Sequence, residues 1–273
     1  MLLLNFVRFG RQDVIHLHGD DWFFVRRNSP TVRTLHGSAL REARHATSMK
    51  RKVAQYGVYP LERLSARLAT VAVAVGRDAA GIYGLSQTVD NGVDLERFHA
   101  GEKSARPSVL YVGTWEGRKR GRWLHDLFVN RILPRVPGAE LVFVSDRCAP
   151  HPSVRAIAFP DDESLASLYR EAWVFAYPST YEGFGIPYVE ALASGTAIVT
   201  SPNGGATQIL EEGRHGIIVD DDGFADQVVD LLRNAERRKS LEKAGRSRAE
   251  QFTWRRVAER HRELYRLAVA RKR

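Results

Sequence analysis

The sequence predicts an α/β protein in which parallel sheets form two domains. From about residue 106 onwards, short runs rich in valine and isoleucine alternate with helical stretches, which is typical of a parallel sheet covered on both faces. The first hundred residues carry a similar but thinner pattern. Residues 100–104 between the two regions are polar and unpatterned, so we place a domain boundary near Gly101.

The elements of the second domain, residues 101–252, follow one another regularly. Strands are predicted over 109–112, 140–144, 154–159, 174–177 and 196–200. Helical segments are predicted over 123–135, 163–172, 187–193 and 224–252. A basic helix ends the chain over 253–273, and we expect it to pack back towards the first domain.

The first domain, residues 1–100, contains fewer elements. Strands are predicted over 13–17, 31–35 and 70–75, and a mostly helical segment over 49–68. A sheet of this size is small for a doubly wound domain. The first domain is therefore predicted to be partial.

Composition limits the choice of partners and compartment. The formal net charge of +9 suits nucleotide phosphates, nucleic acid or an acidic membrane surface. The basic residues are dispersed and no reader motif is visible, so no nucleic-acid partner is predicted. A single cysteine, Cys148, excludes an internal disulfide framework. No apolar run approaches the roughly 20 residues that span a bilayer, and the first seven residues do not resemble a signal peptide, so a cytoplasmic protein is predicted.

The most informative segment is YEGFGIPYVEALASG over residues 181–195. A strand ends at Pro178, a glycine-containing turn follows, and Pro187 suits the first turn of a helix. Amides at such a helix start favour an anion. Glu182 and Glu190 are eight positions apart, so they could contact different parts of an extended ligand such as a sugar and a ribose. A capped core helix with two surface glutamates is equally compatible with the spacing.

This segment resembles the E-x7-E signature of glycosyltransferase family 4. The matching residues are Glu182, Gly183, Phe184, Gly185, Pro187 and Glu190, and the similarity extends over residues 106–252. The resemblance implies a GT-B fold, with two facing Rossmann-like domains, and retaining transfer from a nucleotide-diphosphate sugar. It also implies that Glu182 faces the donor sugar and that Glu190 holds the ribose hydroxyls. The backbone around Gly183, Phe184, Gly185 and Ile186 would serve sugar and phosphate.

A basic loop over residues 113–121 follows the first strand of the second domain, where open parallel sheets bind ligands. The family pattern has an arginine and a lysine here. This sequence has Thr114 at the arginine position and Arg120 at the lysine position, so Arg118 or Lys119 could substitute for the missing arginine. We expect Arg120 and Lys119 to neutralise the departing diphosphate, and the remaining loop residues to bind the donor, namely Gly113, Thr114 and Arg118. A solvated charged loop is the alternative.

Three further predictions concern isolated residues. The resemblance places His36 near the transferred sugar, although it could be an ordinary loop histidine. It places Asp161 near the nucleotide base, where a helix cap is an equally good interpretation. His16, His18, Asp20 and Asp21 invite a metal interpretation, but no distant ligand set accompanies them, so neither a metal nor a cofactor is predicted.

The expected reaction moves a sugar from a UDP- or GDP-sugar to a hydroxyl of a saccharide or lipid-linked acceptor. Relatives begin with a strand and a glycine-rich loop that are not recognisable before Asp13, so the first domain is predicted to be truncated. Exposed strand edges would then favour self-association. The basic segment over 41–67 carries interleaved apolar residues and could contact the inner face of a membrane, although a solvated helix fits the pattern slightly better. The alternatives are a truncated, non-catalytic nucleotide-sugar-binding subunit or remnant, and a GT-B-shaped sugar-nucleotide epimerase.

Overall fold

A computed structural model describes residues 13–19, 21–22, 24, 29–46 and 48–272. The first twelve residues and Asp20 lie outside this range. The interpretation of the opening segment as truncated and that of Asp20 as a possible metal ligand concern these residues. The chain divides into two compact units, one formed by Met1–Gly92 with Trp254–Arg273 and the other by Val93–Thr253. Residues 93–100 belong to the second unit, where the backbone N–H of Val93 donates to the carbonyl of Phe252 at 2.7 Å.

The elements are named in chain order. The strands are β1 (Ile15–His18), β2 (Thr31–Leu35), β3 (Val71–Ala74), β4 (Ser108–Val112), β5 (Glu140–Val144), β6 (Val154–Ile157), β7 (Val174–Tyr177), β8 (Ala197–Thr200) and β9 (Ile217–Ile218). The α-helices are α1 (Ala39–His45), α2 (Met49–Leu68), α3 (Arg77–Tyr83), α4 (Gly121–Leu127), α5 (Asp162–Glu171), α6 (Ile186–Ala193), α7 (Gly204–Ile209), α8 (Asp221–Arg233), α9 (Ala235–Ala249) and α10 (Trp254–Lys272). A π-helical turn, Phe128–Ile132, continues α4.

The first unit contains a three-stranded parallel sheet in the order β1-β2-β3. Residues of β2 alternate between two cores because successive side chains point to opposite faces of a strand. Val32 packs with Leu264 and Ala268 of α10, which are one helical turn apart. Leu35 packs on the other face with Ala66 and Ala79. The C-terminal helix is therefore part of the core of the first unit.

The second unit contains a six-stranded parallel sheet in the order β6-β5-β4-β7-β8-β9. The chain builds outwards from β4 in one direction through β5 and β6, and in the other through β7, β8 and β9. The order therefore reverses between β4 and β7. Ligands of open parallel sheets bind at such a reversal, outside the carboxyl ends of the strands. The basic loop and the glutamate segment follow these two strands.

Side-chain caps set several helix boundaries in the second unit. Asp161, Asn203 and Asp220 each accept a backbone N–H at the start of α5, α7 and α8. Asn234 does the same for α9, so the segment 224–252 is divided into α8, α9 and a short 3-10 turn rather than forming one helix. None of the described helices combines the length and the apolar character that crossing a bilayer requires.

Candidate functional site

The loops that follow β4 and β7 are joined to each other. The backbone N–H of Thr180 donates to the carbonyl of Arg118 at 2.9 Å. This bond connects the basic segment directly to the segment that contains Glu182. The topological reversal thus brings together two loops that are about sixty residues apart in the chain.

Glu182 is buried at this junction and accepts hydrogen bonds from both loops. Its Oε1 lies 2.6 Å from the Ser179 hydroxyl and 2.9 Å from the Tyr177 hydroxyl. The same oxygen lies 2.8 Å from a guanidinium nitrogen of Arg118 and 2.7 Å from Nζ of Lys119. A carboxylate removed from water requires such partners, because an unpaired buried charge is strongly destabilising. The interpretation of Glu182 as a surface glutamate is therefore wrong.

Arg118 and Lys119 are held by more than their ion pairs with Glu182. Arg118 also donates to the carbonyl of Tyr181 at 2.5 Å. The ammonium group of Lys119 bonds the Tyr177 hydroxyl and lies 4.6 Å from the centre of the Tyr177 ring. Both cations retain partial solvent exposure, with 28% of the Arg118 side chain and 17% of the Lys119 side chain accessible. They supply positive charge at the carboxyl end of the sheet.

Arg120, which the sequence comparison placed at the lysine position, has a different environment. Its backbone adopts a left-handed conformation with φ of 58°. Its guanidinium forms two bonds to the carboxylate of Asp221, at 2.8 and 2.6 Å, and lies 4.1 Å above the ring of Trp123. The structure therefore joins Arg118 and Lys119 to Glu182, whereas Arg120 is paired with Asp221 on α8.

Two glycines allow the backbone of the glutamate segment to fold tightly. Gly185 has φ of 100°, and a Cβ there would lie 2.4 Å from the ring of Tyr188. At Gly205, at the start of α7, a Cβ would lie 2.5 Å from the carbonyl oxygen of Phe184. Close packing at these two positions requires glycine, whether or not a ligand binds.

The other predicted residues of this segment differ in exposure. Phe184 is buried and makes an edge contact with Phe252, with ring centres 5.9 Å apart. Gly183 is half-buried, and Ile186 at the start of α6 is exposed. Pro187 has no N–H, and the N–H of Tyr188 donates to the carbonyl of Gly185 at 3.0 Å, so among the first three residues of α6 only Ile186 has an N–H that could face a ligand.

The first residues of the basic loop, Gly113 and Thr114, form hydrogen bonds with the end of the sheet and within the loop. The N–H of Gly113 donates to the carbonyl of Val144 at 3.0 Å, and a Cβ at Gly113 would lie 2.6 Å from the Tyr111 hydroxyl. Thr114 is exposed, and its hydroxyl donates to the carbonyl of Glu116 at 2.8 Å. The absence of a side chain at Gly113 therefore leaves room for the Tyr111 hydroxyl.

Glu190 lies in the middle of α6 and is half-buried. Burial raises the pKa of its carboxyl group to about 7, and the negative charge of Asp162 contributes in the same direction. The Tyr169 hydroxyl and the Lys119 ammonium partly offset the increase in pKa. Near neutral pH this group is therefore partly protonated, unlike an ordinary surface glutamate.

Asp161 has the capping role that the sequence left open. Its carboxylate accepts the backbone N–H of Ser164 at 2.7 Å, and this bond lowers the pKa of the carboxyl group. Two residues earlier, Phe159 is 86% exposed and has φ of 50°. A bulky residue in the left-handed region is uncommon and is strained there. Sequence reasoning placed Phe159 at the end of the predicted strand 154–159 and did not single it out, whereas β6 ends at Ile157, two residues before it.

His36 belongs to a group of histidines in the first unit. Its Nε2 lies 2.9 Å from Nδ1 of His18, and the rings of His18 and His16 are 3.9 Å apart. His16 is also bonded to Thr34 and to Tyr265 of α10. Burial lowers the pKa of all three imidazoles, that of His16 to about 3.

Asp21, one of the possible metal ligands of this region, is engaged in an ion pair instead. Asp21 pairs with the buried guanidinium of Arg33 at 2.5 Å. Within the ranges that the structure describes, no three His, Cys, Asp or Glu side chains have an arrangement that could hold a metal ion.

Comparisons with known proteins agree with this architecture. Residues 106–234 match the family model described as Glycosyl transferases group 1. A phosphatidyl-myo-inositol mannosyltransferase of Mycobacterium tuberculosis is 26% identical over 94% of this chain and 74% of its own length. Sucrose-phosphate synthase from Thermosynechococcus elongatus superposes with a TM-score of 0.76 at 22% identity, over 94% of this chain and 74% of that chain. Anabaena Alr3699/HepE in complex with UDP-glucose superposes with a TM-score of 0.69 at 17% identity, over 86% and 72%.

The fold and the two joined loops define a protein of the GT-B class, built from α/β units with parallel sheets. The chain is a glycosyltransferase similar to family 4, and residues 106–234 match the group 1 glycosyl transferases.

Proposed function

We propose that this protein transfers a glycosyl group from a nucleotide-diphosphate sugar to an acceptor hydroxyl with retention of configuration. One observation carries the proposal: the carboxylates of Glu182 and Glu190 lie on the loop and helix that follow β7, with Arg118 and Lys119 brought to Glu182 from the loop after β4. A donor with a diphosphate in its middle and hydroxyl groups at both ends matches this charge pattern.

The donor extends along the carboxyl ends of the strands in this proposal. Its diphosphate lies near the start of α6, where Gly183, Phe184, Gly185 and Ile186 supply backbone, and near the cations of the basic loop. Its ribose hydroxyls bond Glu190. Its base lies by the loop after β6, between the exposed ring of Phe159 and the capping residue Asp161. Gly113 and Thr114, which directly follow β4, line the donor site on that side.

The basic loop stabilises the departing diphosphate. Negative charge develops on the leaving oxygen as the glycosyl bond breaks, and cations already in position stabilise it without reorganisation. Lys119 and Arg118 take this role directly. The charge of Arg120 is already paired with Asp221, so Arg120 contributes less than Lys119 and Arg118.

The environment of Glu182 supports retention by a front-face displacement. Its Oε1 accepts four hydrogen bonds, two of them from cations, which makes the carboxylate a poor nucleophile. The departing phosphate then assists deprotonation of the acceptor hydroxyl. We propose His36, whose pKa is lowered by burial, as a hydrogen-bonding group for the transferred sugar, on the family resemblance.

The acceptor is a saccharide or a lipid-linked sugar, and α2 is the element that would approach a membrane. Met49, Val53, Tyr56 and Leu64 are exposed along one face of this helix. By helical spacing Lys50, Arg63 and Arg67 lie on or beside that face and suit anionic lipids, whereas Arg51 lies on the opposite side of the helix. We place the protein at the inner face of the membrane on this basis.

The two rival functions are less well supported. The relatives that match along the chain carry the names of glycosyltransferases, which favours neither a non-catalytic subunit nor an epimerase. Self-association through β1, which pairs with β2 and with no other described strand, stays a prediction that sizing chromatography tests.

Calorimetry with UDP and GDP tests the donor site, and a transfer assay with the corresponding sugar nucleotides tests the reaction. We expect at least one diphosphate to bind and the product to keep the anomeric configuration of the donor. The absence of binding by both nucleotides, or a product of inverted configuration, would contradict the proposal.

A further inference from the structure

Two tyrosines adjoin the basic loop, one on each of the strands between which the sheet order reverses. Tyr111 belongs to β4 and Tyr177 ends β7, and both side chains are fully buried. Their ring centres are 6.5 Å apart. A phenol hydroxyl that is removed from water requires a hydrogen-bond partner, because an unpaired buried polar group is destabilising. The partners of these two hydroxyls therefore indicate what the residues do.

The Tyr111 hydroxyl bonds both ends of the basic loop. Its oxygen lies 2.7 Å from the carbonyl oxygen of Thr114 and 3.3 Å from that of Lys119. A carbonyl oxygen can only accept, so the hydroxyl is the donor in both contacts. Burial raises the pKa of Tyr111, so the hydroxyl keeps its proton and remains a donor. One side chain therefore closes the loop between residues 114 and 119.

Two glycines leave space for the oxygen of Tyr111. A Cβ at Gly113 would lie 2.6 Å from this oxygen, and a Cβ at Gly121 would lie 2.9 Å from it. The Tyr111 ring itself stacks on Phe143 of β5, with ring centres 4.5 Å apart. A phenylalanine would make the same stacking contact without needing the glycines. The local packing therefore accommodates the hydroxyl and not only the ring.

The Tyr177 hydroxyl bonds the other end of the Lys119 side chain. It accepts a hydrogen bond from the Lys119 ammonium group and donates one to Oε1 of Glu182 at 2.9 Å. The ammonium group also lies 4.6 Å from the centre of the Tyr177 ring. Lys119 is therefore bonded by one tyrosine at its backbone carbonyl and by another at its ammonium group.

The bond to the Lys119 carbonyl also fixes the direction in which the chain continues. The next residue, Arg120, has φ of 58°, which is uncommon for residues other than glycine. Its guanidinium pairs with Asp221, whereas the ammonium group of Lys119 pairs with Glu182. A peptide between residues 119 and 120 that is held in one orientation keeps these adjacent cations directed to different partners.

We infer that Tyr111 and Tyr177 are positioning residues that hold the Lys119 ammonium group at the carboxyl end of the sheet. The inference rests on the proposed function, in which this ammonium group stabilises the diphosphate of the donor. Both hydroxyls act through Lys119 rather than on the donor. A cation that is already in position stabilises an anion without reorganisation, so a loosely held lysine would lose part of its effect.

A double-mutant cycle tests whether the two hydroxyls act through Lys119. Tyr111→Phe and Tyr177→Phe each remove one oxygen and keep the ring. We expect each to weaken the binding of UDP or GDP, whichever the wild type binds, by about tenfold, and to leave the affinity for the nucleoside unchanged. In a Lys119→Ala background the same substitutions should change the diphosphate affinity by less than about twofold. A tenfold effect that persists without the lysine would overturn the inference.

Tyr83→Phe provides the matched control. Its hydroxyl is bonded to Ser38 and Glu62 in the first unit, so the substitution removes a tyrosine oxygen that has no part in the basic loop. Calorimetry should show no change in the affinity for the diphosphate or for the nucleoside. Equal weakening by Tyr83→Phe would attribute the loss to general destabilisation and contradict the positioning role.

A second measurement follows Lys119 without any nucleotide. Trace acetylation of the full chain with acetic anhydride, read by mass spectrometry, compares Lys119 with the exposed Lys243 and the half-buried Lys103. We expect the reactivity of Lys119 to rise severalfold in each phenylalanine variant, because its amine then reaches solvent more often. Unchanged reactivity in both variants would show that the hydroxyls do not hold Lys119. An equal rise at Lys103 would indicate loosening of the whole unit, and either result would overturn the inference.

The outcome is separable from that of the proposed function. Failure of both UDP and GDP to bind would contradict the donor site, whereas increased reactivity of Lys119 alone in the variants would still support the inference. Nucleotide binding combined with unchanged reactivity of Lys119 in both variants would support the donor site and overturn the positioning role of the tyrosines.

Discussion

Lys119 and Glu182 form a direct ion pair, with Nζ of the lysine 2.7 Å from Oε1 of the glutamate. The two residues come from loops that follow adjacent parallel strands, β4 and β7. Their contact neutralises a buried carboxylate and holds a partly exposed ammonium group at the carboxyl end of the sheet. The first residue of the E-x7-E pattern therefore positions the cations of the basic loop.

Removal of the Lys119 charge should affect turnover more than removal of the Arg120 charge. We expect Lys119→Ala to decrease kcat by about a hundredfold, because a charge at a developing anion contributes about 3 kcal/mol. Arg120→Ala is the matched comparison, since its guanidinium is already paired with Asp221. Steady-state kinetics with a sugar nucleotide gives both values. A larger decrease for Arg120→Ala would assign the leaving-group role to Arg120.

Replacement of Glu190 by glutamine should weaken the donor. A carboxylate accepts hydrogen bonds from two ribose hydroxyls, whereas an amide offers one acceptor oxygen. The expected loss is about 1.5 to 3 kcal/mol in nucleotide binding, measured by calorimetry. A 2′-deoxynucleotide provides the control, because its affinity should change less. Equal losses for both nucleotides would remove Glu190 from the ribose site.

The pKa of about 7 at Glu190 predicts that nucleotide binding depends on pH. Hydrogen bonds from ribose favour the carboxylate, so binding should release a proton below pH 7 and tighten as the pH rises through about 7. Calorimetry in buffers of different ionisation enthalpy measures this proton. Glu190→Gln should abolish the release, and a release that persists in the variant would originate from another group.

The same shift has a consequence for stability. The folded-state pKa of Glu190 lies above the ordinary value of 4.5, so the folded protein binds the proton more tightly than the unfolded chain. The stabilisation from this protonated group is fully present below about pH 4.5 and is lost as the pH rises through about 7. Chemical denaturation of the wild type and of Glu190→Gln should therefore give a difference in unfolding free energy that changes across this interval.

Phe159 should bind the nucleobase by stacking. We expect Phe159→Ala to weaken a nucleoside diphosphate by about 1 to 3 kcal/mol, the usual contribution of one aromatic ring on one base. Inorganic pyrophosphate lacks a base, so its affinity should remain constant. The control variant is Tyr56→Ala, which removes an exposed aromatic ring on α2, in the first unit rather than in the loop of Phe159. A loss of pyrophosphate affinity in Phe159→Ala would indicate a structural effect of the loop.

The exposed face of α2 should bind anionic vesicles. Val53→Glu combined with Tyr56→Glu places charges in the apolar stripe and should abolish sedimentation with vesicles that contain phosphatidylglycerol. Binding of the wild type should decrease as salt screens the flanking arginines and lysines. Binding to neutral vesicles that equals binding to anionic ones would contradict the electrostatic part of the interaction.

The strands illustrate what local sequence can determine. The predicted strands at 140–144 and 174–177 coincide with β5 and β7, because a short continuous apolar run has few other ways to be buried in an α/β protein. The long segment at 49–68 coincides with α2. The helices α1, α3 and α7 were not predicted, because they are six or seven residues long and carry no clear period.

By itself the sequence determined the fold class, the family resemblance and the two segments of the proposed donor site, since each depends on patterns within a few dozen residues. Only the tertiary structure decided which cation faces Glu182. Arg118, Lys119 and Arg120 are adjacent in the chain, and the left-handed backbone of Arg120 together with its partner on α8 separates its guanidinium from the other two. The pKa of Glu190 and the bond between Glu62 and α1 also required the structure. Burial and contacts between distant segments are properties of the folded chain, and no local pattern of residues encodes them.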